Sequence, residues 1–132
     1  MVARILLIDD TPEVLDLFVY ILTAAGYVTL AARDGLQGLA LARAEQPDLI
    51  LCDNRMPVSD GYAVARELKS DPALRHIPLI STTAAAMAGD RARILEAGFD
   101  GYIAKPIEPE RFADQVAAFL PIELRQSKPT ST

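Results

Sequence analysis

The sequence predicts an α/β fold in which a doubly wound, five-stranded parallel sheet is covered by helices on both faces. Short apolar runs alternate with longer stretches whose apolar residues recur at helical spacing, which is typical of successive βαβ units. The runs are almost uniformly apolar, as expected of parallel strands that helices cover on both sides. Ligands of such sheets bind beyond the carboxyl ends of the strands, so those ends are where a functional site is expected.

Five short runs are interpreted as the strands of this sheet. Four are strongly apolar, namely residues 5–8, 49–52, 77–80 and 102–104, and the fifth, residues 27–31, is weaker. Strands that are covered by helices on both faces are apolar throughout, so a less apolar run indicates a strand that is less completely covered. The weaker run is therefore expected nearer to an edge of the sheet.

The stretches between these runs carry the spacing of amphipathic helices. Their periodic apolar positions are Val14, Leu15, Phe18, Ile21 and Leu22, then Leu36, Leu39 and Ala40, then Val64 and Leu68, then Ile94 and Leu95, and finally Phe112, Val116 and Phe119. Pro12 suits a first helical turn, and Gly26 and Gly98 suit the position just past a helix end. Five helices are thus predicted to alternate with the five strands.

Size and charge limit the classes of protein that the chain can represent. Its 132 residues suffice for one domain and not for two. We expect that domain to span residues 1–120 and a short polar tail to span residues 121–132. A net charge of −5 without a basic run argues against a nucleic-acid partner, because phosphate backbones are bound by lysine and arginine.

Apolar patterning and cysteine content indicate the compartment. No stretch approaches the roughly 20 apolar residues that a membrane helix needs, so no membrane partner is expected. Cys52 is the single cysteine and lies in an apolar run, which favours a buried thiol in a reducing environment. The expected location is the cytoplasm.

Polar residues stand at the carboxyl ends of four predicted strands. Asp9 and Asp10 follow the first strand, Asp53 the third, Thr83 the fourth and Lys105 the fifth. Three carboxylates that converge on one edge of a sheet would repel one another unless a cation neutralised them. A hard divalent metal with oxygen ligands, most readily Mg²⁺, removes this repulsion and leaves room for phosphate oxygens. The sequence therefore predicts a metal site suited to phosphoryl transfer.

Each of these residues also has an ordinary structural explanation. The two aspartates after the first strand can cap the following helix, and Asp53 can be a turn carboxylate. Thr83 can be a helix cap or a strand-end hydroxyl, and Lys105 can be a solvated loop lysine. The prediction of a site depends on their shared position at the strand ends.

In order and spacing, these residues resemble the receiver domain of bacterial two-component response regulators. The resemblance covers about residues 3–120 and is carried by four motifs, ILLIDD at the first strand, DLILCDNRMPVSDGY around the third, IPLISTTAAAM at the fourth and AGFDGYIAKPI at the fifth. It implies a flavodoxin-like, CheY-like sheet with the strand order 2-1-3-4-5.

The resemblance also implies the phosphoacceptor and its metal ligands. Asp53 is expected to accept a phosphoryl group as an acyl phosphate. Asp10 and Asp53 are expected to bind Mg²⁺, or Mn²⁺, directly, with Asp9 acting largely through water. The backbone carbonyl of Arg55 is expected to be a third protein ligand.

Three further residues match positions that respond to the phosphoryl group in this family. Thr83 is expected to bond a phosphoryl oxygen, and Lys105 to pair with Asp53 or its phosphoryl group, with a cis peptide bond to Pro106 as one possibility. Tyr102 is expected to turn inward when Thr83 closes, although a half-buried aromatic on an edge strand explains it equally well. Thr82 precedes Thr83 and offers the same hydroxyl, but the following Ala84 favours Thr83 for this role.

Asn54 departs from the family pattern. It follows the phosphoacceptor at a position where an aliphatic residue is usual. The sequence offers no explanation for a polar side chain there.

Other functional classes fit the sequence less well. A flavodoxin-like cofactor carrier has a first loop rich in Ser, Thr and Gly, whereas residues 9–12 read Asp-Asp-Thr-Pro and would repel a flavin phosphate. A phosphatase with an aspartyl nucleophile needs a DxDx[TV] arrangement, which IDDTP does not provide. A degenerate receiver that acts only as a scaffold has little support, because the matched residues are all present.

The predicted function is that of a single-domain response regulator rather than an enzyme with a separate substrate. Asp53 would receive its phosphoryl group from a sensor histidine kinase or a histidine phosphotransfer protein. A conformational switch at the fourth helix, fifth strand and fifth helix would then signal to a protein partner. The alternative is a phosphorelay intermediate or phosphate sink that passes the group to a histidine phosphotransfer protein.

Overall fold

Five parallel strands form one sheet in the order β2-β1-β3-β4-β5, which confirms the predicted fold class and strand order. The computed structural model describes residues 2–54, 61–84 and 88–125. The strands are β1 (Arg4–Ile8), β2 (Val28–Ala32), β3 (Leu49–Asp53), β4 (Leu79–Thr83) and β5 (Gly101–Ala104). The helices are α1 (Pro12–Ala24), α2 (Gly35–Glu45), α3 (Gly61–Ser70), α4 (Ala88–Glu96) and α5 (Pro109–Ala117), followed by a short 3₁₀ helix, Ile122–Leu124.

The sheet has a separate apolar core on each face. Successive residues of β1 point to opposite faces, so that Leu6 packs in one core and Leu7 in the other. The first core lies under α2, α3 and α4, and the second under α1 and α5, where the rings of Phe18 and Phe112 stack with centroids 4.6 Å apart. Burial on both faces explains why the strand runs are apolar throughout.

The strand register aligns the ends of the central strands. Ile8 of β1 pairs with Cys52 of β3, so the residues that follow both strands leave the sheet at nearly the same level. Asp53, the last residue of β3, pairs with Thr82 of β4. Residues just beyond β1, β3 and β4 therefore meet at one edge of the sheet.

One sequence prediction about an individual element was wrong. The fourth strand was predicted at residues 77–80 but spans Leu79–Thr83, because the Ile77 N–H is bonded to Leu74 in the preceding turn and Pro78 has no N–H. Leu36 and Leu95, two of the apolar positions with helical spacing, are 72% and 56% exposed, so they do not belong to the covered faces of α2 and α4. Helical spacing identifies a stripe of residues, whereas the neighbouring elements determine how much of that stripe is covered.

The predicted helix boundaries agree with the structure. Gly26 and Gly98 follow α1 and α4 with φ values of 101° and 111°, the left-handed region that glycine adopts readily. Pro12 occupies the first turn of α1. After α5, Arg125 donates hydrogen bonds to the carbonyls of Leu120 and Ala118, whereas residues 126–132 of the predicted tail lie outside the described residues. Within the described ranges, no helix is long and apolar enough to cross a membrane.

The N-terminus of α2 provides a test of local stability. The Asp34 carboxylate caps this helix by accepting a hydrogen bond of 2.8 Å from the Gln37 N–H. Asp34→Ala is expected to lower the free energy of unfolding by about 1 kcal/mol, since the N–H loses its partner. Urea denaturation measures the change. Glu108→Ala is the control, because Glu108 is the N-cap residue of α5 and its side chain makes no capping hydrogen bond. This substitution should lower the free energy of unfolding by clearly less than Asp34→Ala does.

Candidate functional site

The ends of β1 and β3 bring three aspartates together. Asp9, Asp10 and Asp53 each offer one carboxylate oxygen, and these oxygens lie within 4.8 Å of one another. Asp9 and Asp53 are 1% and 7% exposed, and Asp10 is half-buried. Carboxylates removed from water in this way are poorly screened, so their mutual repulsion is larger than at a surface.

Lys105 supplies the positive charge that faces these carboxylates. Its Nζ lies 3.0 Å from Oδ2 of Asp9 and 3.7 Å from Oδ2 of Asp53. The expected pairing of Lys105 with Asp53 is present as this longer ion pair, and the hydrogen bond of its Nζ goes to Asp9. With a side chain only 20% exposed, Lys105 is not a solvated loop lysine. The Lys105-Pro106 peptide bond is cis, one of the arrangements considered from the sequence.

Backbone hydrogen bonds fix Asp9 at the end of β1. The Asp9 N–H donates to the carbonyl of Ala32 at 3.1 Å, which continues the pairing of β1 with β2. Its Oδ1 accepts the Thr11 N–H at 2.9 Å, just before α1 begins. Asp9 thus supports the start of the helix with one oxygen and faces Lys105 with the other, so the structural and functional interpretations of this residue are compatible.

The backbone around Asp53 is tightly enclosed. Gly61, the first residue of α3, donates its N–H to the carbonyl of Asn54 at 3.3 Å. A Cβ added at Gly61 would overlap the carbonyl oxygen of Asp53, so only a glycine allows α3 to approach this closely. On the other side, the thiol of Cys52 is fully buried and donates to the Asp53 carbonyl at 3.4 Å. The position of Asp53 therefore depends on close packing of its neighbours.

The two threonines of β4 are both buried at the same edge. Thr82 pairs with Asp53 in the sheet, and Thr83 lies one residue further towards the carboxyl end, opposite Ala104. Thr83 is therefore the strand-end residue of the two, in keeping with the prediction. Burial of Thr83 within β4 argues against its being a helix cap.

Tyr102 lies on β5, the edge strand of the sheet, where it is half-buried. The guanidinium carbon of Arg91 lies 5.6 Å from the centre of its ring, a cation–π distance that joins α4 to β5. This placement agrees with both interpretations of Tyr102, as a half-buried aromatic of an edge strand and as a switch residue whose ring turns inward. Arg55, the predicted backbone ligand, lies outside the described residues.

The donor set fits a hard divalent cation. Three carboxylates and one ammonium leave a net negative charge in a nearly buried space, and the carboxylates present only oxygen ligands. Mg²⁺ and Mn²⁺ prefer such ligands, whereas softer metals prefer sulfur or imidazole, which this cluster lacks. Asp9, Asp10 and Asp53 are the described residues that could hold the ion.

Sequence reasoning did not identify Tyr62 as a neighbour of this site. Asn54 is 4% exposed, and its Nδ2 donates to the Tyr62 hydroxyl at 3.4 Å, while its Oδ1 has no hydrogen-bond partner among the described residues. The ring of Tyr62 packs edge-on against Phe99 and beneath the guanidinium of Arg93. The polar side chain of Asn54, at a position that is usually aliphatic, was the one indication in the sequence of an unusual contact here. Nothing in the sequence identified Tyr62 as the residue that it contacts.

Comparison with known proteins identifies the family. Residues 5–117 match the family model of the response regulator receiver domain. The chain belongs to this family. Two curated relatives, the polar-differentiation response regulators DivK of Brucella ovis and of Brucella melitensis, are each 42% identical to this receiver domain over 120 residues, which are 91% of this chain and 98% of the relative.

Solved structures agree with this assignment. The chemotaxis response regulator CheY4 of Vibrio cholerae superimposes on the receiver domain with a TM-score of 0.87 at 25% identity, covering 91% of this chain and 100% of CheY4. The receiver domain of the sensor histidine kinase PA1611 from Pseudomonas aeruginosa PAO1 gives a TM-score of 0.82 at 34% identity, covering 90% and 98% of the two chains. The PA1611 structure has a magnesium ion coordinated in its active-site cleft.

Proposed function

We propose that this receiver domain accepts a phosphoryl group on Asp53 from a phosphohistidine of a sensor histidine kinase or histidine phosphotransfer protein, and then signals to a protein partner. The observation that carries the proposal is the cluster of Asp9, Asp10 and Asp53, with the Nζ of Lys105 close to the carboxylates of Asp9 and Asp53. Family membership supports it, because the match to the receiver domain covers residues 5–117, which include the cluster.

The proposed reaction is a direct transfer between two side chains. A carboxylate oxygen of Asp53 forms a bond to phosphorus while the P–N bond of the donor histidine breaks, and the electron pair of that bond remains on the imidazole nitrogen. Negative charge then spreads over the phosphoryl oxygens. The ammonium of Lys105, held beside the carboxylates, stabilises that charge, and the hydroxyl of Thr83 adds a hydrogen bond when it closes on the phosphoryl group.

Asp10 and Asp53 are proposed to bind Mg²⁺ directly and Asp9 to support it, with Mn²⁺ as a substitute. The bound cation supplies positive charge that neutralises the carboxylates and the transferring oxygens. The burial and mutual proximity of the three carboxylates support this assignment, as does the magnesium ion in the similar PA1611 receiver domain. Arg55 is proposed as a further ligand from its motif alone.

The proposed output is a population shift on the face formed by α4, β5 and α5. Thr83 would close on the phosphoryl group and Tyr102 would turn inward, so that a partner binds the phosphorylated arrangement more tightly. The half-buried position of Tyr102 on the edge strand, where it packs against the first core and contacts Arg91 of α4, supports this role because its ring links β5 to α4. The cytoplasmic location stays a prediction based on Cys52.

Acetyl phosphate provides the test of the proposed phosphoacceptor chemistry. Incubation of the protein with acetyl phosphate and Mg²⁺, followed by intact mass measurement, should show one phosphoryl adduct, and peptide mapping should locate it to Asp53. A parallel sample with a chelator in place of Mg²⁺ should show little or no adduct, because the carboxylates then remain unneutralised. The proposal is wrong if no adduct forms with either Mg²⁺ or Mn²⁺, or if the adduct maps to another residue.

A further inference from the structure

The Asn54 side chain is buried directly beside the phosphoacceptor and is only weakly held. Its Nδ2 lies 3.4 Å from the Tyr62 hydroxyl, at the long limit for a hydrogen bond. Its Oδ1 is one of two buried side-chain atoms without a partner in the described part of the chain. A buried polar atom without a hydrogen-bond partner is unfavourable, so a second orientation of the Asn54 amide that pairs this oxygen would be favourable. A change of charge or hydrogen bonding beside the amide can therefore shift its orientation.

Tyr62 connects Asn54 to α4. Its ring packs edge-on against Phe99 with centroids 6.2 Å apart, and the guanidinium carbon of Arg93 lies 5.7 Å above it. Tyr62 and Arg93 line a cleft of about 440 Å³ between α3 and α4, together with Arg66 and Glu96. A movement of the Tyr62 ring would therefore change both the shape of this cleft and the contact of the ring with Arg93.

Two short connections lead from Asp53 to Tyr62. The first is the side chain of Asn54, which follows Asp53 directly in the chain. The second is the backbone, because the Asn54 carbonyl accepts the N–H of Gly61, the residue that precedes Tyr62. Tyr102 lies on β5 and contacts Arg91, another arginine of α4, so the two rings share contacts with that helix, and Tyr62 is the one of the two that bonds Asn54.

We propose that Tyr62 is a second switch aromatic, which Asn54 couples to the phosphorylation state of Asp53 and which changes the α3–α4 cleft. The proposal rests on the proposed function, since it requires an acyl phosphate on Asp53. The added charge and acceptor oxygens alter the hydrogen bonding next to Asn54 and shift the equilibrium of its bond to Tyr62. The cleft then differs between the two states of the receiver domain.

The four tyrosines of the chain allow both switches to be followed in one sample. The protein is labelled with 3-fluorotyrosine, and each ¹⁹F resonance is assigned by its loss in a Tyr→Phe variant. With excess acetyl phosphate and Mg²⁺, the resonances of Tyr62 and Tyr102 should both shift, while intact mass on the same sample reports the adduct. In Asn54→Ile the adduct should form and the ¹⁹F resonance of Tyr102 should shift, but the resonance of Tyr62 should no longer shift.

Ser81→Ala is the matched control, because Ser81 is the other buried residue whose side-chain oxygen has no described partner. In this variant, Tyr62 should shift as in the wild type. The inference is overturned if the ¹⁹F resonance of Tyr62 shifts in Asn54→Ile as it does in the wild type. It is also overturned if that resonance does not shift when the wild type is phosphorylated. Absence of any adduct on the wild type would instead refute the proposed function, and the inference with it.

A second measurement keeps the proposal testable if Asn54→Ile does not fold. Tyr62→Phe keeps the ring and removes only the hydroxyl that Asn54 contacts. Phosphorylation should change amide hydrogen exchange in α4 of the wild type, and this change should be reduced in Tyr62→Phe. An undiminished change, with the adduct present, would show that the hydrogen bond does not couple Asp53 to α4.

Discussion

The Asp53→Asn variant is expected to form no phosphoryl adduct when it is treated with acetyl phosphate and Mg²⁺. The substitution replaces the nucleophilic carboxylate oxygen by an amide, which cannot form the acyl phosphate. It also removes one of the three carboxylates that could hold the metal. Intact mass should therefore show complete loss of the adduct rather than a slower reaction.

Loss of the adduct in Asp53→Asn should not result from unfolding. The neutral amide relieves repulsion among three closely spaced carboxylates, so the free energy of unfolding in urea, without added metal, should be no lower than that of the wild type. Asp16→Asn is the charge-matched control, because it neutralises an exposed carboxylate on α1 and should leave the adduct intact. An adduct of normal yield on Asp53→Asn would disprove the assignment of the phosphoacceptor.

Gly61→Ala is expected to damage both stability and phosphorylation. The new Cβ would overlap the carbonyl oxygen of Asp53 and lie 2.6 Å from Cα of Asn54, so α3 or the end of β3 would have to move. Overpacking of this kind costs about 1–3 kcal/mol, only partly offset by the better helix propensity of alanine. Urea denaturation should show the loss, and the initial rate of adduct formation should fall because Asp53 is displaced.

Gly38→Ala is the control that distinguishes overlap with backbone atoms from overlap with side-chain atoms. A Cβ at Gly38 would overlap Cδ1 of Ile8 and lie 2.8 Å from its Cγ1, but these are side-chain atoms, which can shift more readily than the backbone atoms that a Cβ at Gly61 would meet. Gly38→Ala should therefore lose less stability than Gly61→Ala and keep the phosphorylation rate of the wild type. Equal losses in both variants would show that the approach of α3 to β3 is not what makes Gly61 necessary.

Patterns that repeat along the chain made the fold predictable. The alternation of apolar runs with helical spacing depends only on burial on two faces of a sheet, and both cores are found where that pattern places them. The meeting of Asp9, Asp10 and Asp53 follows from the same rule, because parallel strands end at a common edge. Neither prediction needed the conformation of a loop.

Features that depend on loop conformation and on neighbouring elements were not predictable. The hydrogen bond of Lys105 goes to Asp9 because of how the chain leaves β5, and no spacing in the sequence encodes that direction. Tyr62 lies eight residues beyond Asn54, a separation that has no periodic meaning, and the two meet only because α3 starts against the end of β3. The exposure of Leu36 likewise reflects the limited cover over α2, which is a property of the assembled fold.

Cys52 gives the protein a natural reporter of motion at this site. It is the single cysteine of the chain, its side chain is fully buried, and its sulfur contacts the carbonyl of Asp53. A thiol reagent can reach that sulfur only when the middle of the sheet opens. The rate of thiol alkylation under native conditions therefore measures how often the structure opens beside the phosphoacceptor, without the need to introduce a label.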